Sequence, residues 1–210
     1  MMATESAQVL SGLPRGGPIH RDVKSVRSDV DFDALLERTR LASTPSACEA
    51  CLPEIASALE AATAPSDRGR LLLCRARVRS LQSLDREACE DAAAAVSFFE
   101  VAGENELTTD AASLGAAHAS RLGNVSLASE LATKSILGLD TVTDGRLLTE
   151  IANRLGIFCY SFLDYDRAVE LFEVSLAAAE RTGDAEKIHR QLTTLPTRCC
   201  SPSGSASYPA

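Results

Sequence analysis

Leu155-Gly-Ile-Phe-Cys-Tyr160-Ser-Phe-Leu-Asp164-Tyr-Asp-Arg-Ala168-Val-Glu-Leu-Phe172 is the stretch on which the fold turns. A large apolar residue beside a glycine lets one helix approach another closely, and Ala168 is the small residue set to face it. Asp164-Tyr165 falls between the two apolar halves, where an Asp can accept from the first free N–H groups of a new helix. Phe172 is large enough to fill the space left between helix pairs. Two helices joined by a short turn are therefore expected from Thr149 to Asp184.

The same residue classes recur 40 positions earlier. Ala168 leads back to Ala128, Ala88 and Cys48, and Gly156 to Ala116 and Ala76, all small. Leu176 leads back to Ile136, Val96 and Ala56, and Phe172 to Ala132, Ala92 and Leu52. Gly183 and Gly103 are each followed by an acid. Helices are expected over 32–43, 45–63, 67–82, 86–102, 108–121, 125–137, 144–162, 165–182 and 185–194. Their starts carry Thr44 (before Pro45), Asp85, Asn124, Thr143 and Asp164 as caps, and Gly103, Gly138 and Gly183 stand at their stops. Pro53 conflicts with the second helix, which starts there instead if the proline is to be accommodated.

The Leu-Gly pair, the aromatic, the turn and the Ala168-x-x-x-Phe172 spacing resemble a tetratricopeptide unit. The resemblance implies antiparallel helix hairpins stacked as a right-handed solenoid. The recurrence of about 40 residues exceeds the usual unit of about 34. The chain departs from the pattern at Ala152 (no Trp), at Glu180 (no closing Pro) and at Cys159, with Tyr160 one place late. In such arrays the first helix of each pair lines a groove, which places Arg70, Leu73, Arg77, Ser113, Ala117, Arg121, Asn153, Ile157 and Tyr160 along it. Residues 153–172 also resemble the helical region that precedes the output domain of bacterial diguanylate cyclases. The Gly-Gly-Asp-Glu-Phe signature of that domain is not in the sequence.

Composition agrees with an all-α chain: 45% hydrophobic, 24% charged, 4% aromatic, no Trp, and Ala-rich runs such as Asp91 to Val96. Alternating β-branched runs are scarce, so strands are not expected. Residues 1–30 carry Gly, Pro and scattered charge without an apolar face and read as a disordered arm. Residues 31–195 form the helical domain, and 196–210 read as a disordered tail with three prolines. The helix at 185–194 either caps the array through Ile188 and Leu192 or begins a unit that a shortened chain leaves unfinished. A net charge of −8 and a pI near 5.0 argue against nucleic-acid or anionic-membrane binding. With no basic-apolar leader and no apolar run long enough for a membrane span, a cytoplasmic protein is expected.

No P-loop, HExxH or GxSxG occurs, and His20, His118 and His189 sit in three unrelated settings. Neither catalysis nor a cofactor is expected. Cys48-Glu-Ala-Cys51 is a lone CxxC among seven cysteines; a zinc site would need Cys74 or Cys89 from other helices, and packing thiols are the simpler reading. Arg68, Arg70, Arg75, Arg77 and Arg79 form a basic strip. Either it is balanced by Asp85, Glu87, Glu90 and Asp91 on the next helix, or it docks an acidic or phosphate-bearing ligand. The expected function is a scaffold or regulatory module binding a protein or acidic peptide in its groove. The alternative is the sensor part of a signalling protein without its catalytic domain.

Overall fold

The computed structural model describes residues 31–42, 44, 46 and 49–183. They form α1 (Phe32–Leu41), α2 (Leu52–Ala61), α3 (Pro65–Leu81), α4 (Asp85–Ala102), α5 (Asn105–Arg121), α6 (Val125–Leu137), α7 (Gly145–Ser161) and α8 (Tyr165–Thr182). A single 3-10 turn, Leu139–Thr141, lies between α6 and α7, and no strand occurs among the described residues. The fold class is therefore all-α. The expected arm, the helix at 185–194, the tail, Cys48 and Pro45 lie outside the described residues.

Local chemistry explains the ends. Asn124 and Asp164 cap α6 and α8, accepting from the backbone N–H of Leu127 and Arg167, as their sequence positions imply. Pro53 falls in the first turn of α2, where a missing N–H costs nothing, so that helix starts at Leu52, while Ser46 and Glu49 of the expected span are also helical and a turn at 50–51 separates them from it. Pro65 likewise opens α3. Two expected caps are displaced. Asp85 is already helical and turns its carboxylate to α5, while Asp144 rather than Thr143 caps α7, accepting from Arg146 N–H at 2.8 Å. Thr143 instead donates to Glu106.

Gly103 and Gly183 end α4 and α8 with φ of 74° and 68°, the left-handed geometry expected of them. Gly138 does not: its φ is −92°, and the chain continues into the 3-10 turn. It is small for another reason, since a Cβ there would lie 2.1 Å from Thr109 Oγ1. The turns joining α3 to α4, α5 to α6 and α7 to α8 each contain one left-handed residue: Ser83, Gly123 and Leu163. Each is followed by an N–H bonded five residues back, Leu84 to Arg79, Asn124 to Ala119 and Asp164 to Cys159, at 2.9–3.0 Å.

Each turn folds its two helices onto one another, and α4 packs in turn on α5. The first helices also meet: α1 lies on α3, and α5 on α7. Ala88, Ala128 and Ala168 are fully buried, as their small size and spacing imply. Phe172 is buried too, but its ring lies over Gly156 of its own hairpin, where a Cβ would come within 2.6 Å of it, rather than serving only as filler between hairpins. Phe99 lies on Gly69 in the same manner. Ser135 donates to the Thr109 carbonyl at 2.8 Å, and Ser175 to that of Thr149 at 2.7 Å, both in buried positions.

Candidate functional site

The first helices converge on a buried carboxylate. Asp110, on α5, is fully enclosed. It accepts from Arg77 Nη2 of α3 on one oxygen and from Arg154 Nη2 of α7, at 2.9 Å, on the other. Burial alone would raise its pKa, but the two guanidinia outweigh burial and hold it below the usual carboxylate range. Arg77 also donates to the Leu36 carbonyl of α1 at 2.9 Å, and Arg154 to Ser113 Oγ at 2.8 Å. Three helices thereby meet at one anion, and Arg77 ties α1 to them through the Leu36 carbonyl.

Arg40 of α1 extends the cluster. Its Nε and Nη2 donate to Glu37 at 2.9 and 3.0 Å, while Nη1 lies 3.3 Å from Asp144 Oδ2 without forming a hydrogen bond. Arg40 and Arg77 line a cavity of about 140 Å³ with Asp33, Leu36, Asp144 and Leu147. A second cavity, about 220 Å³, lies between Arg40, Arg77 and Arg154. A third, about 340 Å³, is bounded by Arg70, Glu104 and Glu106.

The residues placed in the groove by sequence spacing divide into separate groups. Arg70 pairs with Asp33 at 2.5 Å and Glu104 at 3.1 Å, and Arg77 joins the Asp110 cluster. Leu73 is fully buried in the core. Arg121 lies elsewhere, donating through Nε to Asp85 at 2.8 Å beside His118, whose ring nitrogen Nδ1 is 2.7 Å from the same carboxylate. Burial holds His118 below the usual histidine value, against the pull of Asp85. Asn153 leaves its side-chain oxygen buried without a hydrogen bond. Ile157 and Tyr160 are exposed at the end of α7.

Of the basic strip, Arg75 clasps Asp91 of α4 through two bonds of 2.8 and 2.7 Å, and Arg79 reaches the same carboxylate at 2.6 Å. Arg68 lies over the Phe98 ring. Balance by the next helix therefore accounts for Arg75 and Arg79, through Asp91 alone among the four acids considered. Burial raises the thiols of Cys74, to about 11, and of Cys89 and Cys159. Among the described residues, no three His, Cys, Asp or Glu side chains are placed to hold a metal, and no helix is long and apolar enough to cross a membrane.

Sequence reasoning missed Arg40, Asp110 and Arg154. One signal was available: Asp110 interrupts a small-residue run on α5, and 40 positions on stands another acid, Glu150. Compared with protein-family models the chain matches none, and it matches none of the curated proteins.

Proposed function

We propose that this chain is a helical-hairpin repeat module, tetratricopeptide-like with a step of 40 residues, whose role is to hold another protein rather than to catalyse a reaction. Support for the step comes from the first helices, which start at Pro65, Asn105 and Gly145, and from the second, which start at Asp85, Val125 and Tyr165. Left-handed residues at 83, 123 and 163 and the paired Ser135 and Ser175 bonds keep the same interval.

The observation that carries a binding role is the apolar end of the α7–α8 hairpin. Ile157, Tyr160, Phe162, Leu163 and Tyr165 are exposed within nine residues, Leu163 by 71%. The rings of Tyr160 and Tyr165 meet edge to face at 5.4 Å, and those of Phe158 and Phe162 lie 4.7 Å apart. Aromatic side chains held in place by one another lose little entropy on docking and are favoured at interface centres. Arg70 and Arg77 already have acidic partners inside the chain, so an acidic ligand would compete with those carboxylates. The aromatic end carries no such competition.

Capture from lysate with wild type and with Tyr160→Ala/Leu163→Ala tests the reading. The expected result is a defined partner retained by wild type and lost by the variant at unchanged melting temperature. Identical capture by both, or none by wild type, overturns it.

A further inference from the structure

We propose that α1 is a displaceable occupant of a helix-binding groove on the inner face of α3, α5 and α7, and that the groove takes in its place a helix of the same chemistry supplied by another molecule. The site is separate from the aromatic end and does not rest on partner binding there. α1 lies on α3 and reaches α7 through Arg40 and Asp144. Each of the three cavities has α1 for one wall. Asp33, Leu36 and Arg40 border the first, Thr39, Arg40 and Ala42 the second, and Asp33 and Leu36 the third. Opposite them stand residues of α3 and α5 in every case, and of α7 in the first two. The volumes, about 140, 220 and 340 Å³, are several times the ~30 Å³ that a water molecule claims in the liquid. Packed interiors leave few voids of that size. α1 therefore covers the inner face without filling it.

The four inner helices are not held equally. α3, α5 and α7 have 17 residues each and share the Asp110 carboxylate. α1 has 10 residues, too few to persist as a helix without a surface to lie on. It sends no side chain to Asp110 and is reached by Arg77 only at the Leu36 carbonyl. Thr39, though buried, donates back to the Leu35 and Leu36 carbonyls of its own helix. The ion pairs of α1 run to acids that water screens: Asp33, paired with Arg70, is 84% exposed, and Glu54, Glu37 and Asp144 are each at least 40% exposed. Leu35 and Leu36 are left as its buried anchors. A helix held in this way opens locally at lower cost than the seam of α3, α5 and α7. What it uncovers fits an amphipathic helix with two adjacent leucines, an arginine four residues after the second, and an acid two residues before the first, the pattern of Asp33, Leu35, Leu36 and Arg40.

Fluorescence anisotropy tests this, with a labelled peptide of residues 31–42 titrated into the full chain. The groove is closed by the chain's own α1 in wild type and freed in Leu35→Asp/Leu36→Asp. The variant should therefore bind the peptide at least about tenfold more tightly, the gain from removing an internal competitor that fills about nine sites in ten or more. The same peptide carrying both aspartates should bind neither chain. Amide hydrogen exchange of wild type is the second measurement, and it decides the matter if the variant loses more helix than α1 itself. The α1 amides should exchange faster than the buried amides of α5, which wait for global unfolding. A folded variant that binds the peptide no better than wild type, equal binding of the aspartate peptide, or α1 amides as slow as those of α5 overturns the proposal.

Discussion

Inside each hairpin the two helices meet through alanine, glycine and phenylalanine. Along the inner face, where α1, α3, α5 and α7 meet, they do so through arginine and aspartate. Both seams are buried, yet they obey different rules. Gly156 under Phe172 and Gly69 under Phe99 succeed because atoms fit, and such contacts are governed by volume. Arg77, Asp110 and Arg154 succeed because opposite charges are aligned, each oxygen of the one carboxylate meeting one guanidinium, and removing the carboxylate leaves uncompensated ions in the interior. The first seam holds hairpins shut; the second ties hairpins to one another.

The largest way to break that contrast is Asp110→Ala. Removing one member of a buried ionic group costs about 3–5 kcal/mol, and chemical denaturation should read a loss in that range. The pH dependence follows from the depressed carboxyl. Its stabilisation is fully present above the unfolded-state value of about 3.9 and is lost as pH falls below it toward the folded value. The variant should therefore show a shallower acid slope than wild type.

Phe172→Ala attacks the other seam and should cost about 3–5 kcal/mol through the cavity it leaves. That loss should not change with pH between 3 and 7, whereas the Asp110 loss should shrink at the acid end. Gly156→Ala is gentler. Its Cβ would press on the Phe172 ring, and overpacking of this kind costs about 1–3 kcal/mol.

The hairpin seam was legible because it depends on residue size and spacing, which a sequence displays directly. Ala128, Ala168, Gly183 and the caps Asn124 and Asp164 all stand where those patterns put them. The inner seam was not. The arginine strip is visible at 68–79, but which acid each arginine takes depends on how helices 33 to 44 residues apart come together. Asp91 rather than Asp85 answers Arg75 and Arg79, and Asp85 goes instead to Arg121 and His118. Gly138 shows the same limit: a glycine after a helix suggests a left-handed stop, and only the approach of Thr109 reveals why a side chain is excluded.

The smallest expected effect sharpens the equivalence of two hairpins. Ser135→Ala and Ser175→Ala each remove one buried bond to the first helix of their pair, at a cost of about 0.5–1.5 kcal/mol. Similar losses in both variants would mark matching environments, and a loss in one alone would separate them.

The most direct test of the account is a double-mutant cycle between Arg77→Met and Arg154→Met, read by urea denaturation. These residues belong to α3 and α7, which are linked here through the one carboxylate of Asp110 on α5. If the first helices meet at that shared anion, the two changes are coupled by about 0.5–3 kcal/mol. Losses that add to within about 0.5 kcal/mol would show two independent sites, and would contradict an inner seam held together at Asp110.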